Sequence, residues 1–322
     1  VPIAETTRLA FMVYEEETGL EYRFVPDGPA VTADEIESAM DVVRNFKGGY
    51  LIASGSLPRG APDYTYARMA AIAAANDGPA SAYGTDGWTV AAERRIAEIF
   101  EHEVAVFLVT SGTAANALAL ASLTRPWGAV ITHEESHVAD DECGAPEFFS
   151  DGAKLIGLPG AGNKLSPADV TQTLARFREG ALHQVQPQAL SITQATECGT
   201  IYTPDEIRAL KAAAAPRSLA LHMDGARFAN ALVTLGCSPA ETTWKAGIDV
   251  LSFGGTKNGC WCAEAIIFFK PEMAEEMPYI RKRSAQLFSK TRFISAQLEA
   301  YLEDDLWLEL AGHSNAMADR LR

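Results

Sequence analysis

The sequence predicts an α/β protein with a mostly parallel sheet covered by helices on both faces. Short apolar runs of strand type alternate with helical patterns from about Val90 to Phe269. Strands that are separated by helices pair in parallel, and such a sheet is buried on both faces. The chain has 322 residues, of which 48% are hydrophobic and 21% charged. This composition is typical of a globular protein with a substantial core.

The first part of the chain predicts a small β pair followed by a capped helix. Leu9–Tyr14 and Tyr22–Val25 read as two short strands around a polar turn. Thr32 with Glu35 three residues later is an N-cap pattern, which predicts a helix to about Phe46. Beyond it we expect a strand at Tyr50–Ala53, a turn at Ser54–Gly60, a helix at about Asp63–Ala75 and a junction at Pro79–Trp88.

The longer second part predicts the sheet itself. Apolar runs predict strands at Val104–Val109, Ala129–Thr132, Ala189–Gln194, Leu219–Met223, Asp249–Phe253 and Ala263–Phe269. A helix is expected at Ala114–Leu123. Two more should begin at Ser166 and Thr203, where a cap precedes a Pro at the first helical position. The segment from Pro271 to Arg322 reads as mostly helical.

Charge and cysteine usage exclude several classes of function. Lys and Arg total 27 against 42 Asp and Glu, a net charge of −15. A field of that sign repels phosphate backbones, so we expect no nucleic-acid partner. No apolar run approaches the roughly 18 residues that span a bilayer, and no signal peptide is evident. Five irregularly spaced cysteines indicate free thiols and a cytoplasmic location.

A possible phosphate cup lies between the first large strand and its helix. Ser111-Gly112-Thr113 follows the strand and opens an Ala-rich helix. The first amides of a helix are unpaired donors, and the helix dipole favours an anion there. Glycine lets the backbone approach a phosphate, and both hydroxyls can donate to it. Taken alone, the motif more often marks an ordinary strand-to-helix turn.

An acid and a lysine follow two later strands. Asp224 ends an apolar strand, a place where ligands of open α/β sheets bind, and such an acid can pair with a ring nitrogen. The structural alternative is a salt bridge from Asp224 to Arg227. Lys257 lies in a Gly-rich loop between two apolar strands, where a lysine can act as a Schiff-base amine. The structural alternative is a solvated loop lysine.

A histidine completes the set. His137 follows the strand Ala129–Thr132, and an imidazole can stack on a planar cofactor, although a lone His is more often structural. A phosphate cup, an acid, a Schiff-base lysine and a stacking ring at the strand ends of one sheet are what pyridoxal phosphate needs. We therefore predict pyridoxal 5'-phosphate as the cofactor and no metal.

These residues carry a family resemblance. From about Ala80 to Arg322 the chain resembles the threonine aldolase / β-eliminating lyase family of fold-type I pyridoxal-phosphate enzymes, and most closely its low-specificity or phenylserine aldolase branch. The matching stretches are Tyr83–Asp86 (YGTD), Ser111–Leu120 (SGTAANALAL), Asp141–Phe149 (DECGAPEFF), Ser191–Tyr202 (SITQATECGTIY), His222–Asn230 (HMDGARFAN) and Ser252–Gly259 (SFGGTKNG). The resemblance covers about three quarters of the chain.

The resemblance implies a role for each site residue. Lys257 would carry the cofactor as a Schiff base, Asp224 would pair with its pyridine nitrogen and His137 would stack on its ring. Ser111, Gly112 and Thr113 would hold its phosphate. Arg227 would bind the substrate carboxylate in a bidentate manner. Tyr83 would belong to a site shared between subunits of a homodimer or homotetramer, and Arg281 and Lys282 could reach a neighbour's phosphate.

The implied reaction is retro-aldol cleavage of a β-hydroxy-α-amino acid to glycine and an aldehyde. Many threonine aldolases carry a His near the β-hydroxyl, whereas this chain has Glu197 in Gln194-Ala195-Thr196-Glu197. A carboxylate or a bound water would then serve as the base. The difference leaves room for aryl β-hydroxy amino acids such as phenylserine beside threonine.

Residues 1–78 resemble a different family, the PfkB-type (ribokinase-like) sugar kinases. Glu21–Pro29 (EYRFVPDGP) and Ser54–Gly60 (SGSLPRG) carry this match. The kinase's Gly-Ala-Gly-Asp anion hole is missing, because Gly160-Ala161-Gly162-Asn163 lacks the Asp. We therefore expect two domains, a kinase-like α/β fragment at 1–78 and the large aldolase/lyase domain at 79–322.

Both resemblances look incomplete in the sequence. The aldolase-like part lacks the family's first segment, which supplies a Ser near the substrate carboxylate, and most of the C-terminal small domain with its second carboxylate-binding Arg. The alternatives to an active aldolase are thus a chimeric, truncated chain that at most binds the cofactor, a β-eliminating lyase and, least favoured, a sugar kinase.

Overall fold

The computed structural model describes residues 11–15, 20–24 and 79–320, together with Thr32, Asp34, Glu35, Ser38 and Asp41. The chain divides into two compact units, Val1–Pro79 and Ala80–Arg322. No helix in these described ranges combines the length and the apolarity that a membrane span requires.

The first unit contains the predicted β pair. Strand β1 (Phe11–Glu15) pairs antiparallel with β2 (Leu20–Phe24), and Phe11 lies opposite Phe24. The predicted cap also forms: Glu35 N donates to Thr32 Oγ1 at 3.2 Å, and Thr32 N donates to Glu35 Oε2 at 2.7 Å. The expectations for 50–53, 54–60 and 63–75 lie outside the described residues.

The second unit is built on one sheet of seven strands. They are β3 (Ala105–Val109), β4 (Gly128–His133), β5 (Lys154–Leu158), β6 (Gln186–Thr193), β7 (Ala220–Gly225), β8 (Val250–Gly254) and β9 (Glu264–Phe268). Their order is β3-β9-β8-β7-β6-β4-β5. Every neighbouring pair from β8 to β5 is parallel, whereas β9 is antiparallel to both β8 and β3. The carboxyl ends of six strands and the amino end of β9 therefore share one side of the sheet, here called the carboxyl edge.

Helices cover the sheet and continue to the end of the described chain. They are α1 (Gly87–Ile99), α2 (Gly112–Leu123), α3 (His137–Asp140), α4 (Ala145–Phe149), α5 (Pro167–Ala175), α6 (Pro204–Ala214), α7 (Phe228–Leu235), α8 (Met277–Arg283), α9 (Arg292–Leu302) and α10 (Leu306–Asp319). Short 3-10 turns separate several of them, including Thr256–Asn258 after β8.

The predicted helix starts form as their caps require. Ser166 Oγ accepts from Asp169 N and begins α5. At α6, Thr203 and Glu206 make a reciprocal capping box. Each such cap satisfies amides that the first helical turn leaves without partners.

The predicted strands that the structure describes are confirmed to within three residues, but strand β5 and helices α1, α3, α4 and α7 were not predicted. Strand β5 lies at the edge of the sheet and is partly exposed, so its sequence Lys154–Leu158 lacks the continuous apolar run that marks a buried strand. Helix α1 begins inside the segment that looked like a junction, where Asp86 caps it by accepting from Thr89 N. Neither the burial pattern nor the strand spacing indicated that β9 runs antiparallel.

Two apolar clusters hold the layers together. One joins α2 and α8 to the sheet through the buried side chains of Val109, Leu118, Ala119, Val250, Ile266, Phe268 and Met277. The other is aromatic, with Phe253 and Trp307 ring centroids 5.6 Å apart and Phe100 and Phe228 centroids 5.9 Å apart. The aromatic contacts bring α10 against the strand that precedes Lys257.

A buried acid, Asp249, joins neighbouring elements on the side of the sheet opposite the carboxyl edge. Asp249 precedes β8 and accepts hydrogen bonds from Leu221 N at 2.8 Å, from Lys270 Nζ at 2.7 Å and from Lys211 Nζ. Burial alone would raise the pKa of Asp249, but the bonds from both lysines outweigh it and lower the pKa. The charged form is therefore part of the folded state.

Replacing this acid should destabilise the second unit. Asp249→Ala leaves Leu221 N without its acceptor and separates two lysines from their carboxylate, so the free energy of unfolding should fall by about 2–3 kcal/mol. Because the folded pKa is lowered, the contribution should be present above the unfolded pKa and fade as the pH falls. Urea unfolding at several pH values measures this. Glu98→Ala, which removes an exposed helix pair with Arg94, serves as the control and should change little.

Candidate active site

Asp224 is the buried acid at the carboxyl edge. It lies at the end of β7, and its side chain is 2% exposed. Asp224 Oδ2 accepts from Asn116 Nδ2 at 2.8 Å, and Asp224 Oδ1 accepts from Ala226 N at 2.9 Å. No ion pair joins Asp224 to Arg227, although both residues are described. The salt-bridge alternative is therefore wrong, and the acid faces an amide instead of a cation.

Two residues that the sequence analysis did not select connect this acid to His137. Asn116 Nδ2 also donates to Glu142 Oε1 at 2.8 Å, and Glu142 Oε1 lies 3.0 Å from His137 Nδ1. Asn116 lies in the first half of α2, and Glu142 lies five residues after His137. The spacing from His137 to Glu142 was available in the sequence, but the contact of Asn116 with Asp224 spans 108 residues.

The His137–Glu142 pair holds a proton more tightly than either residue would alone in water. The hydrogen bond that His137 donates to Glu142 raises the pKa of His137, partly opposed by burial. Burial raises the pKa of Glu142, partly opposed by hydrogen bonds from His137 and Asn116. Glu142 is completely buried at its side chain, whereas His137 keeps 32% of its side chain exposed. Glu142 thus fixes the imidazole ring from the buried side, and the rest of the ring is accessible to a ligand.

The predicted phosphate cup is the N-terminus of α2. Ser111 caps the helix by accepting from Ala114 N at 3.2 Å. A Cβ added at Gly112 would meet no atom within 4 Å, so open space lies over the first turn. The hydroxyl of Thr113 makes no hydrogen bond to the part of the chain that the structure describes. Free first-turn amides, space and hydroxyls are what an anion at a helix N-terminus requires.

Lys257 lies on a short turn that is held from two sides. Gly254 and Gly255 precede it, and a Cβ at either would come within 2.7 Å of backbone atoms. On the other side, Asn258 Nδ2 donates to Tyr301 OH at 2.7 Å and to Trp307 O at 2.8 Å. Lys257 itself is exposed at the carboxyl edge, near enough to affect the pKa of His137.

Glu264 is a second acid that the sequence did not reveal. It begins β9, and because β9 is antiparallel, this residue comes to the carboxyl edge. Its side chain is 4% exposed, and Oε1 accepts from Thr256 N at 3.2 Å. Burial raises the pKa of Glu264 to about 7; hydrogen bonds from Thr256 oppose this, the charge of Asp224 adds to it and that of Lys257 opposes it.

Glu197 and Arg227 are both exposed near these groups. Glu197 Oε1 accepts from His137 N at 2.8 Å and from Thr193 Oγ1 at 3.1 Å, which leaves Oε2 available to a ligand. Arg227 follows Asp224 by three residues and makes no ion pair with any described residue. The structure thus brings Glu197 to His137 and leaves the Arg227 guanidinium unpaired.

The residues expected at a subunit boundary form a separate group. Tyr83 is 51% exposed, and Lys282 Nζ lies 5.2 Å from the centre of its ring. Arg281 is buried instead, which lowers its pKa, and its Nε donates to Gln286 O at 3.3 Å. Gln286 Oε1 in turn accepts from Thr110 N at 3.2 Å. Gln286 therefore links Arg281 to Thr110, the residue that precedes the predicted phosphate cup of its own chain.

The site as a whole fits pyridoxal phosphate. A buried carboxylate, an open helix N-terminus and an exposed lysine stand at one edge. Two buried atoms beside the acid, Asn116 Oδ1 and Glu142 Oε2, accept no hydrogen bond from the residues that the structure describes. Ligand atoms of His137, Glu142 and Asp224 also lie within 4.8 Å of one another, which is close enough for a metal ion. The organic cofactor and the lack of a metal stay predictions at this point.

Known proteins are similar to this chain in sequence and in fold. The family model for beta-eliminating lyases matches residues 63–322. A low specificity L-threonine aldolase from a Pseudomonas strain is 49% identical over 252 residues, covering 78% of this chain and 72% of that protein. The solved threonine aldolase of Leishmania major matches with a TM-score of 0.71 and 32% identity, covering 76% of this chain and 70% of that one. These matches confirm the fold-type I resemblance.

A shorter match concerns a different class of protein. ATP-dependent 6-phosphofructokinase isozyme 2 of Mycobacterium tuberculosis is 45% identical over 75 residues, which cover 22% of this chain and 22% of that protein. The chain is therefore similar to members of two families, over stretches of very different length.

The pKa of His137 should depend on Glu142. Glu142→Gln removes the carboxylate that accepts from His137 Nδ1, so the pKa of His137 should fall, by about one unit. NMR titration of ring-labelled histidine in the cofactor-free protein measures it. The NMR signal of the exposed His313 serves as an internal control and should be the same in wild type and variant. An unchanged His137 titration would contradict the assigned hydrogen bond.

Proposed function

The chain belongs to the beta-eliminating lyase family, whose members are pyridoxal-phosphate-dependent lyases, and we propose that it cleaves a β-hydroxy-α-amino acid to glycine and an aldehyde. The relatives named threonine aldolase support the reaction type. The observation that carries the proposal is the buried Asp224–Asn116 pair at the same sheet edge as Lys257. A buried acid there suits a protonated ring nitrogen, and an exposed lysine suits a Schiff base.

The residues that would hold the cofactor divide among four elements. The N-terminus of α2, with Ser111, Gly112 and Thr113, would bind the phosphate. Asp224 would accept from the pyridine nitrogen, His137 would stack on the ring and Lys257 would bind the aldehyde carbon. When bound, the cofactor supplies an electron-withdrawing ring that stabilises negative charge at the substrate Cα. The protein contributes orientation and electrostatics.

Arg227 is our candidate for binding the substrate carboxylate. Its guanidinium is exposed and without an ionic partner in the described ranges, and it lies three residues from Asp224. A guanidinium binds a carboxylate through two parallel hydrogen bonds, which fixes orientation as well as charge. The amino acid would then present its Cα–Cβ bond in a defined direction, which is a requirement for selective bond cleavage.

Glu197 is our candidate for the proton acceptor. Its Oε1 is held by His137 N and Thr193 Oγ1, so Oε2 can accept the proton of the substrate β-hydroxyl, directly or through a water. As that proton leaves, the Cα–Cβ bond breaks, the former hydroxyl carbon becomes the aldehyde and the electron pair stays with Cα. A carboxylate can accept the proton of a β-hydroxyl whatever group the β-carbon carries. We therefore propose both phenylserine and threonine as substrates.

We also propose a cytoplasmic homo-oligomer. The five cysteines are free thiols, as expected in a reducing compartment. The exposed pair Tyr83 and Lys282 offers a ring and a cation at the surface, which fits a site completed by a second subunit. For the first 78 residues we propose a domain similar to sugar kinases, supported by the short phosphofructokinase match and by the division of the chain at Pro79, although the lyase family model already begins at residue 63.

Cofactor binding should depend on Lys257. The purified chain mixed with pyridoxal phosphate should show a visible absorption band, and borohydride should fix the cofactor to the protein. In Lys257→Ala both signals should disappear, because no other amine can form the bond at this position. Lys154→Ala, an exposed lysine on β5, is the control. A wild-type chain without the band would refute the proposed function.

Turnover should depend on Glu197. Glu197→Gln retains an oxygen for the two anchoring hydrogen bonds but cannot take a proton, so kcat should fall by about 10²–10⁴-fold while the visible band remains. Aldehyde release from phenylserine and from threonine measures this, with Glu135→Gln as the exposed control. If the wild-type chain binds cofactor but releases no aldehyde from either substrate, it is the inactive alternative. Pyruvate formed from serine would instead indicate β-elimination.

A further inference from the structure

We propose that Glu264 is a positioning residue, which fixes the Lys257 turn through Thr256 and supplies a negative charge beside the Lys257 amine. This inference rests on the proposed function only in that Lys257 carries the cofactor. The substrate, the base and the direction of the reaction do not enter it. Glu264 touches neither the substrate nor the reacting carbon, so its effect is exerted through Lys257.

Sheet register places Glu264 on the same face as Asp224. Glu264 pairs with Gly254 on β8, and Asp224 pairs with Ser252, two residues earlier on the same strand. Because side chains two residues apart on a strand share a face, Glu264, Ser252 and Asp224 point to one side of the sheet. Gly254 has no side chain, so none stands between the two acids on β8.

Hydrogen bonds connect Glu264 to the Lys257 turn. Glu264 Oε1 accepts from Thr256 N at 3.2 Å, and Thr256 Oγ1 accepts from Ala263 N at 3.3 Å. Gly255 N donates to Ala263 O at 3.1 Å and closes the same loop. Thr256 immediately precedes Lys257, so this carboxyl fixes one end of the turn whose other end is fixed by Asn258.

The groups that face Glu264 come from four segments. Asp224 on β7 is an acid. Lys257 is a cation, and it immediately follows Thr256, whose N–H donates to Glu264. Cys260 and Cys262 in the following loop and Tyr301 on α9 are neutral near pH 7, because the pKa of each is raised by burial and by the charge of Glu264. Lys257 is therefore the positive group that an ionised Glu264 faces, among the described groups that interact with it.

The charge of Glu264 changes near neutral pH. Burial brings the pKa of Glu264 to about 7. When Glu264 is ionised, it stabilises a positive charge on the Lys257 nitrogen, and when it is protonated, this stabilisation is lost. The Thr256 hydrogen bond persists in both forms, since a carboxylic acid retains an acceptor oxygen. Position and charge are thus separable by mutation.

The test compares Glu264→Gln with Glu264→Ala in the cofactor-loaded protein. Gln can still accept from Thr256 N but carries no charge, so the visible band should persist while the midpoint of its pH titration falls by about one pH unit. Ala also loses the acceptor, so it should in addition release the cofactor faster on dilution. Glu272→Gln removes the same charge from the exposed turn after β9, at the opposite edge, and should leave the midpoint unchanged.

The outcomes separate this inference from the proposed function. A wild-type chain without the visible band refutes the function, whatever the variants do. A wild-type band with the same titration midpoint in Glu264→Gln overturns the inference. Unfolding of the cofactor-free protein gives a second readout: Glu264→Gln should gain stability relative to wild type above pH 7, because an ionised buried carboxyl is removed. If only the unfolding changes, Glu264 is structural and the inference is wrong.

Discussion

The side-chain amide of Asn116 is the interaction on which the site depends. It donates to Asp224 and to Glu142, each at 2.8 Å, and so places two buried carboxyls on either side of one NH₂ group. Burying a carboxylate without a donor is costly, and two side by side would repel each other. Because Asn116 is on α2, the helix that presents the phosphate cup is also the helix that holds the acid. In the proposed site, one helix would therefore position the phosphate, the ring nitrogen and the stacking imidazole.

The direction of β9 determines what else can stand at this edge. In an all-parallel sheet the first residue of a strand lies on the side opposite the carboxyl edge, far from the candidate site. Here the antiparallel β9 returns directly from the Lys257 turn and presents Glu264 beside the strand ends. The connection needs only the loop 255–263, so the lysine and this acid are held by the same few hydrogen bonds. Topology, and not a motif, brings them together.

The parts of the fold and of the candidate site that the sequence predicts are those that depend on local contacts. Ser111, Asp224 and Lys257 were recognisable because each follows an apolar strand, and strand ends of parallel sheets converge on one edge. Asn116 and Glu264 were not recognisable, because an Asn within an Ala-rich helix and a Glu at the start of an apolar strand have meaning only once strand order and direction are known. The helix caps at Ser166 and Thr203 were predictable because their hydrogen bonds close within three residues.

Asn258 has a consequence for how the chain can change over time. Its amide joins the Lys257 turn to Tyr301 OH and to Trp307 O, so residues more than forty positions away hold the turn that carries Lys257. A substitution at Tyr301 that lacks an oxygen would leave that amide short of an acceptor, unless position 258 changed with it. Substitutions at positions 258 and 301 should therefore occur together. Two helices that are distant from Lys257 in sequence are thus constrained in sequence by the position of its turn.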